Sequence, residues 1–209
     1  MSIPSEETVK CPKCGEDMHF TYWRAIKTDM DFAIPDIISG KLFEVKCKKC
    51  GYETHVKYPI LFDDMIHDVI INYVMPVSVE DADKVADFIC ARMGSFRLRV
   101  VTDQADLREK TAIFNAGLDD RVIELQKLII MSQIYDQVLD KGVCGVYFVP
   151  GDKPVIEIRM KDGSTHVPVD MNIYRALERK MQPRLVKNNE YHIDQSWAAR
   201  FLTSSGNKQ

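Results

Sequence analysis

The chain has 209 residues, a formal net charge of −3 and a pI of about 6.0, with 45% hydrophobic and 28% charged residues. This composition is typical of one ordinary globular domain or two small ones, and it excludes a disordered chain. The charge balance gives no overall attraction for nucleic acid or an anionic membrane, so such binding requires a local basic patch. The N-terminal segment lacks the apolar core of a secretory signal, and no apolar run could span a membrane. We therefore expect a cytoplasmic protein without a membrane segment.

Residues 1–76 predict a β-rich domain that carries four of the six cysteines. Residues 10–15 form a turn before an extended stretch that ends at Trp23, where aromatic and β-branched residues favour a strand. One or two helical turns at 36–39 end at Gly40, and a strand at 42–46 leads into the second cysteine turn. Residues 54–62 and 68–74 are expected to form the two strands of a hairpin.

Residues 77–209 predict a second, α+β domain. A capping box that begins at Ser78 predicts a helix that ends at Gly94, and an alternating strand follows at 96–101. A helix capped by Thr102 or Asp103 and a long helix at 121–140 come next. Strands at 144–149, 155–160 and 165–167 form a meander, because Asp-Gly at 162–163 is a strong hairpin signal. Helices capped by Asp170 and Asp194 precede a frayed, disordered tail at about 203–209.

Four cysteines occur as two C-x-x-C pairs, and this arrangement predicts one structural Zn²⁺ with the ligands Cys11, Cys14, Cys47 and Cys50. Two residues between cysteines allow one tight turn to direct both sulfurs at the same ion. The residue after the second cysteine often needs a positive φ, and both turns have glycine there, Gly15 and Gly51. Four thiolates leave no position for water, so such a site is structural.

Three other interpretations of the cysteine turns stay open. A redox-active pair would begin a helix in a strand-helix-strand unit, which neither pair does. An iron site of the rubredoxin kind uses very similar turns, although this chain is much larger than such electron carriers. A nucleic-acid-binding ribbon would use the lysines around the turns, which could equally offset the charge of four thiolates on one divalent ion. These lysines are Lys10, Lys13, Lys46, Lys48 and Lys49.

The two remaining cysteines, Cys90 and Cys144, stand alone in apolar surroundings. We expect them to be small buried hydrophobic residues rather than reactive thiols.

Three other groups of titratable residues have both a functional and a structural interpretation. One group could form a metal or acid/base site but is favoured as a polar turn between two strands: Asp63, Asp64, His67 and Asp68. Asp119 and Asp120 precede the long helix, where capping is the favoured role. Arg97 and Arg99 share one face of a strand and could hold an anion, but a solvated face is more common.

Several segments together resemble the CpXC family of bacterial and archaeal proteins, over about residues 9–131. They are CPKCG, IISGKLFEVKCKKCG, YPILFDDM, YVMP and RLRVVTDQADLREKTAIFNAGLDDRVIELQK. The family is described by its two cysteine motifs and a zinc site assigned to them, and its biochemical role is uncharacterised. The resemblance implies His-Asp-Met after the YPILF strand, where this chain has Asp63-Asp64-Met65. A histidine there is therefore not required throughout the family.

The sequence thus predicts an α+β protein with an N-terminal zinc-ribbon-like β domain at 1–76 and an α+β domain at 77–209. The leading hypothesis for function is a metal-stabilised protein-interaction or scaffolding module. The first alternative is a nucleic-acid-binding zinc-ribbon protein that uses Lys13, Lys48 and Lys49. The second is an enzyme with a site outside the ribbon, in the 63–68 region or the C-terminal part. An enzyme is the less favoured class, and the sequence does not indicate an oligomeric state.

Overall fold

The computed structural model of the chain describes residues 2–75, 84 and 96–204. These residues form five α-helices and ten strands, which confirms the α+β class. The chain divides into two compact units, 1–111 and 112–209. The predicted helix between Ser78 and Gly94, and with it Cys90, lies outside the described residues.

The first unit contains seven described strands in two sheets. The strands are β1 (Ile3–Lys10), β2 (Asp17–Lys27), β3 (Glu44–Lys46), β4 (Glu53–His55), β5 (Ile60–Asp64), β6 (Val69–Tyr73) and β7 (Arg97–Val101). Five of them form one sheet in the order β1-β2-β5-β6-β7, and β3 and β4 form a separate antiparallel pair. In the larger sheet β1 and β2 are antiparallel, as are β5 and β6, whereas the β2–β5 and β6–β7 pairs are parallel.

The predicted run 54–62 is not one strand. The ladder of β4 ends at His55 and that of β5 begins at Ile60, with Pro59 directly before it. Proline has no amide hydrogen to donate to a neighbouring strand, so a ladder is interrupted at this position. The segment 56–59 therefore crosses from the small sheet to the large one.

Two helices belong wholly or partly to the first unit. Helix α1 (Ala33–Ser39) ends at Gly40, whose φ of 87° is the left-handed conformation expected at a helix C-terminus. Helix α2 (Gln104–Asn115) begins after Asp103, whose carboxylate accepts a hydrogen bond from the amide of Ala105 at 2.7 Å. The side chain of Arg108 donates to the carbonyl of Ile38 at 2.9 Å, and this bond ties α2 to the end of α1.

Strand β7 lies beyond the predicted domain boundary at residue 76, yet it pairs with β6 along its whole length. The sheet therefore extends past residue 76, and the first compact unit extends to 111. The division into domains at 1–76 and 77–209 stays a prediction. Arg99 of β7 was expected on a solvated face, and that expectation is wrong: the residue is 4% exposed and donates to the carbonyl of Leu98.

The second unit contains the C-terminal meander and three helices. They are α3 (Asp120–Val138), β8 (Val143–Val149), β9 (Val155–Met160), β10 (Gly163–Pro168), α4 (Met171–Leu185) and α5 (Gln195–Thr203). The three strands pair antiparallel in the order β10-β9-β8, as predicted. The meander contributes Val146, Phe148, Ile156 and Ile158 to the core, and Trp197 of α5 is fully buried against Phe201.

The predicted helix caps of the second unit are present. Asp170 accepts from the amides of Asn172 and Ile173, and Asp194 accepts from the amide of Trp197 at 2.6 Å. At the start of the predicted tail, Thr203 still belongs to α5, and 205–209 lie outside the described residues.

Cys144 is exposed, so the expectation that it is a buried hydrophobic residue is wrong. Strand β8 lies at an edge of its sheet, and its register shifts between Val143 and Gly145. Cys144 is the extra residue in this bulge, and a bulge turns its residue out of the regular alternation of faces. Across the described residues, every helix is too short or too polar to cross a bilayer.

Candidate metal centre

The first cysteine turn joins β1 to β2. Lys10 is paired with Asp17, and the six residues from Cys11 to Glu16 connect them. The amide of Cys11 donates to the carbonyl of Glu16 at 2.8 Å, and the amide of Gly15 donates to the carbonyl of Cys11 at 2.9 Å. Both hydrogen bonds close the turn that carries Cys11 and Cys14.

The second cysteine turn repeats this geometry between β3 and β4. The amide of Cys47 donates to the carbonyl of Tyr52 at 2.8 Å, and that of Gly51 donates to the carbonyl of Cys47 at 2.9 Å. The glycine φ angles are also equivalent, 73° at Gly15 and 71° at Gly51. Both glycines occupy the left-handed region predicted for them, which L-amino acids with side chains rarely adopt.

The two turns bring their four sulfurs into one cluster. The Sγ atoms of Cys11 and Cys50 are 3.6 Å apart, as are those of Cys14 and Cys47. All four Sγ atoms lie within 4.8 Å of one another, and none of these cysteines forms a disulfide. In a tetrahedral site with metal–sulfur bonds of about 2.3 Å, neighbouring sulfurs are roughly 3.8 Å apart. The donor set and its spacing therefore fit a metal ion, and the four cysteines could hold one.

The backbone of each turn also donates to the sulfurs. The amides of Cys50 and Lys49 donate to Cys47 Sγ and lower the pKa of this thiol to about 7. The amide of Glu16 donates to Cys14 Sγ, which lowers the pKa of that thiol, but desolvation and the three neighbouring sulfurs raise it to about 12. Four adjacent thiols therefore do not all lose their protons together, because neighbouring thiolates repel one another. A divalent ion at their centre would stabilise all four thiolates.

A sequence profile described as CpXC protein matches residues 9–127, which is more than half of the chain. The chain belongs to the CpXC family. Searches of curated proteins and of solved structures give no significant match. The matched region of this CpXC protein contains both cysteine turns and extends into α3.

A small apolar cluster surrounds the sulfurs of the CpXC protein. Cys11 and Cys47 are buried together with Met18 and Val45, one residue from each hairpin. The residues that pack around this cluster are Val9, Phe20, Cys50, Tyr52 and Val56. This core is very small for two hairpins, so a bound ion would add cross-links that apolar packing supplies poorly at this size.

Three of the five lysines near the turns are paired with carboxylates. Equivalent ion pairs flank the two turns, Lys10 with Asp17 and Lys46 with Glu53, each with an N–O distance of 2.6 Å. Lys49 of the second turn reaches Glu16 of the first at 2.7 Å. Lys13 and Lys48 are exposed, and neither has a carboxylate partner in the described part of the chain. Five lysines, three carboxylates and the −2 charge of a divalent ion with four thiolates balance at these turns.

The acidic turn between β5 and β6 is more buried than the sequence indicated. The hairpin forms as predicted, but Asp63 and Asp64 are the last two residues of β5 rather than part of the turn, and they are 3% and 0% exposed. Asp63 pairs with Lys27 at 2.5 Å. Asp64 accepts from the backbone amide of His67 and lies 2.7 Å from its Nδ1 atom. The bonds to Asp64 close the turn, and the ion pair with Asp63 links β2 to β5, so each aspartate has a structural partner.

The other candidates have structural positions as well. Asp119 caps α3: its carboxylate accepts from the amide of Arg121 and forms a two-point ion pair with the guanidinium of the same residue. Arg121 also donates to the carbonyl of Leu185 at 2.7 Å.

Asn72, the polar residue inside the otherwise apolar strand β6, was not among the candidate site residues predicted from the sequence. Asn72 is 7% exposed and lines an open groove of the first unit, which the last Results subsection describes. A lone carboxamide in a buried strand was the available signal, because such a group needs a hydrogen-bond partner.

The left-handed glycines give a direct test of the turn geometry. Gly51→Ala should lower the free energy of unfolding by about 1–2 kcal/mol, because the Cβ of alanine disfavours this backbone region. Nothing lies within 4 Å of the added Cβ, so the cost arises from the backbone alone. Urea unfolding of the metal-loaded protein measures it.

Gly51→Asn and Gly151→Ala are the matched controls. Asparagine tolerates a positive φ, and Gly151 has neither a positive φ nor a neighbour within 4 Å of an added Cβ. Both substitutions should cost clearly less than Gly51→Ala. Equal costs for the three variants would contradict the assigned geometry.

Proposed function

We propose that this CpXC protein is a zinc-stabilised binding or scaffolding module, in which Cys11, Cys14, Cys47 and Cys50 hold one structural Zn²⁺. The observation that carries the proposal is the convergence of four sulfurs from two equivalent hairpin turns. Four thiolates complete the tetrahedral coordination of zinc and leave no position for a reacting water. The ion therefore serves folding, and the function lies in the surfaces that it stabilises.

The donor set supports zinc but is shared with iron. Thiolate ligands in a tetrahedral arrangement suit both ions, and backbone amides that donate to sulfur occur with either. We favour zinc because a single iron centre implies electron transfer, and the chain is large for a carrier of that kind. Measuring the metal content of the purified protein, as described below, distinguishes zinc from iron. Reduced thiolates also favour a reducing compartment, so we propose a cytoplasmic location.

Protein partners suit the charge of the turns better than nucleic acid does. Most lysines there already have carboxylate partners, and Lys49 spans the two turns in an ion pair with Glu16. Lys13 and Lys48 remain as exposed cations, which is a weak patch for a polyanion whose binding depends on several phosphate contacts. We therefore propose contacts with protein as the main mode of action.

The metal content of the purified protein tests the proposed zinc site. Protein purified without added metal should contain one zinc per chain by inductively coupled plasma mass spectrometry. Cys47→Ser should lose this zinc, because the variant removes one of four converging sulfurs. Cys144→Ser should keep it, because Cys144 is exposed on β8 and is not part of the cluster.

One iron per chain, with the visible absorption of an iron–thiolate centre, would assign the site to iron. A disulfide between these cysteines in freshly purified protein would contradict a metal site altogether.

The chain has two tryptophans, one in each compact unit, and their fluorescence reports the unfolding of each unit. Trp23 lies on β2 with its ring 5.7 Å from that of Phe32, and Trp197 is buried in α5. In the variant Trp197→Phe only Trp23 fluoresces, and a strong chelator should lower the urea midpoint of its unfolding transition. In the variant Trp23→Phe only Trp197 fluoresces, and the chelator should leave its midpoint unchanged. Equal shifts of the two midpoints would contradict a metal that stabilises the first unit in particular.

A further inference from the structure

The first unit has an open groove of about 740 Å³ beside the cysteine turns. Residues of β1, β2, β5, β6 and the segment 56–59 line it, among them Glu7, Phe20, Tyr22, Tyr58, Leu61 and Asn72. Its volume is within the range of protein ligand sites.

The floor of the groove is one face of the large sheet. Side chains that are paired across strands share a face, and the register pairs Glu7 with Phe20 and Leu61 with Asn72. A register shift between Ile3 and Pro4 leaves Arg24 as an extra residue on β2. Arg24 lines the groove with Phe20 and Tyr22, and its Nε donates to the hydroxyl of Tyr22 at 3.2 Å.

Asn72 is the polar group at the bottom of the groove. It is 7% exposed on a central strand of the sheet, and its side chain has no hydrogen-bond partner among the described residues. Its amide oxygen and nitrogen are not fully enclosed: they open onto the groove, where water meets them in the free chain and a ligand can replace that water. A peptide group provides both the acceptor and the donor that this carboxamide requires.

The wall of the groove is aromatic and held in place. The rings of Tyr22 and Tyr58 meet edge to face with their centroids 5.4 Å apart. Tyr58 is fixed because its hydroxyl donates to the carbonyl of Leu42 at 3.0 Å. Rigid aromatic side chains provide large contact areas at low entropic cost, so this wall is prepared for an apolar side chain of a ligand.

The charge of the groove is positive by one unit. Arg24 and Lys57 line it together with a single acidic residue, Glu7. Neither cation has a carboxylate within ion-pairing distance among the described residues. The charge therefore favours an acidic ligand.

We propose that this groove binds an extended acidic peptide segment of a partner protein, with Asn72 on its main chain and Arg24 and Lys57 on its carboxylates. The distance along β2 from Phe20 to Arg24 is about 13 Å at the rise of a strand, which accommodates about four extended residues. The inference rests on the proposed function as a binding module and names the site and the partner class.

A random heptapeptide phage library, panned on the zinc-loaded full chain, is the probe. We expect enrichment of peptides that combine an acidic residue with an aromatic or aliphatic one. The consensus peptide, synthesised with a fluorescein label, is then titrated by fluorescence anisotropy against each variant.

Asn72→Leu should weaken this peptide about tenfold, because it removes a buried hydrogen-bond pair. The same variant should unfold at an equal or higher urea concentration than the unaltered chain, since leucine needs no partner. A merely structural asparagine would behave in the opposite way, with a loss of stability.

Arg24→Gln and Lys57→Gln should each weaken the peptide several-fold and reduce the salt dependence of binding. The matched controls are Lys13→Gln and Lys48→Gln, which remove exposed lysines outside the groove and should leave the affinity unchanged.

Absence of enriched peptides, or equal binding by the groove variants and the controls, would overturn the inference. Binding of a small aromatic carboxylate such as benzoate in the groove, without any enriched peptide, would assign the groove to a small acid instead. Zinc content is measured on every sample. A sample without zinc counts against the zinc proposal, and a sample with zinc that binds no peptide counts against the groove alone.

Discussion

Convergence of four sulfurs from two separate hairpins is the constraint on which the first unit depends. The two turns have the same length, the same closing hydrogen bonds and the same left-handed glycine, so each presents its cysteines in the same way. Little apolar packing surrounds them, because the cluster around Cys11 and Cys47 contains few buried side chains. An ion that binds all four sulfurs would fix β3 and β4 against the end of the β1–β2 hairpin. The ion pair between Lys49 and Glu16 also links the two turns, but it is exposed and therefore stabilises them little.

The cysteine turns and the proposed peptide groove share part of their framework. Val9 and Phe20 pack against the cysteine cluster and also line the groove, as does Val56 at the start of the segment 56–59. Metal coordination would therefore hold the edge of the groove in its binding geometry. On the proposed function, a closed site without an exchangeable ligand would contribute by positioning a surface, and it would take no part in chemistry.

Short-range rules predicted the parts of the structure that depend on local backbone geometry. The glycines of the turns, the C-terminal Gly40 of α1 and the caps at Asp170 and Asp194 each satisfy a local requirement that one residue type meets. The rest depends on which strands become neighbours. Arg99 alternates like a half-exposed residue, yet it is 4% exposed on β7, and Cys144 is exposed at the bulge of β8 although its neighbours in the sequence are apolar. The groove could not be predicted, because the pairing of β2 with β5 and of β5 with β6 brings Tyr22 and Asn72, which are distant in the sequence, to one groove.

X-ray absorption spectroscopy at the zinc edge of the purified protein tests the central claim most directly. The account predicts four sulfur neighbours at about 2.3 Å and no oxygen or nitrogen in the coordination shell. A shell with an oxygen ligand, or with fewer than four sulfurs, would mean that the site is open and that its role includes chemistry. That result would contradict a purely structural ion held by Cys11, Cys14, Cys47 and Cys50.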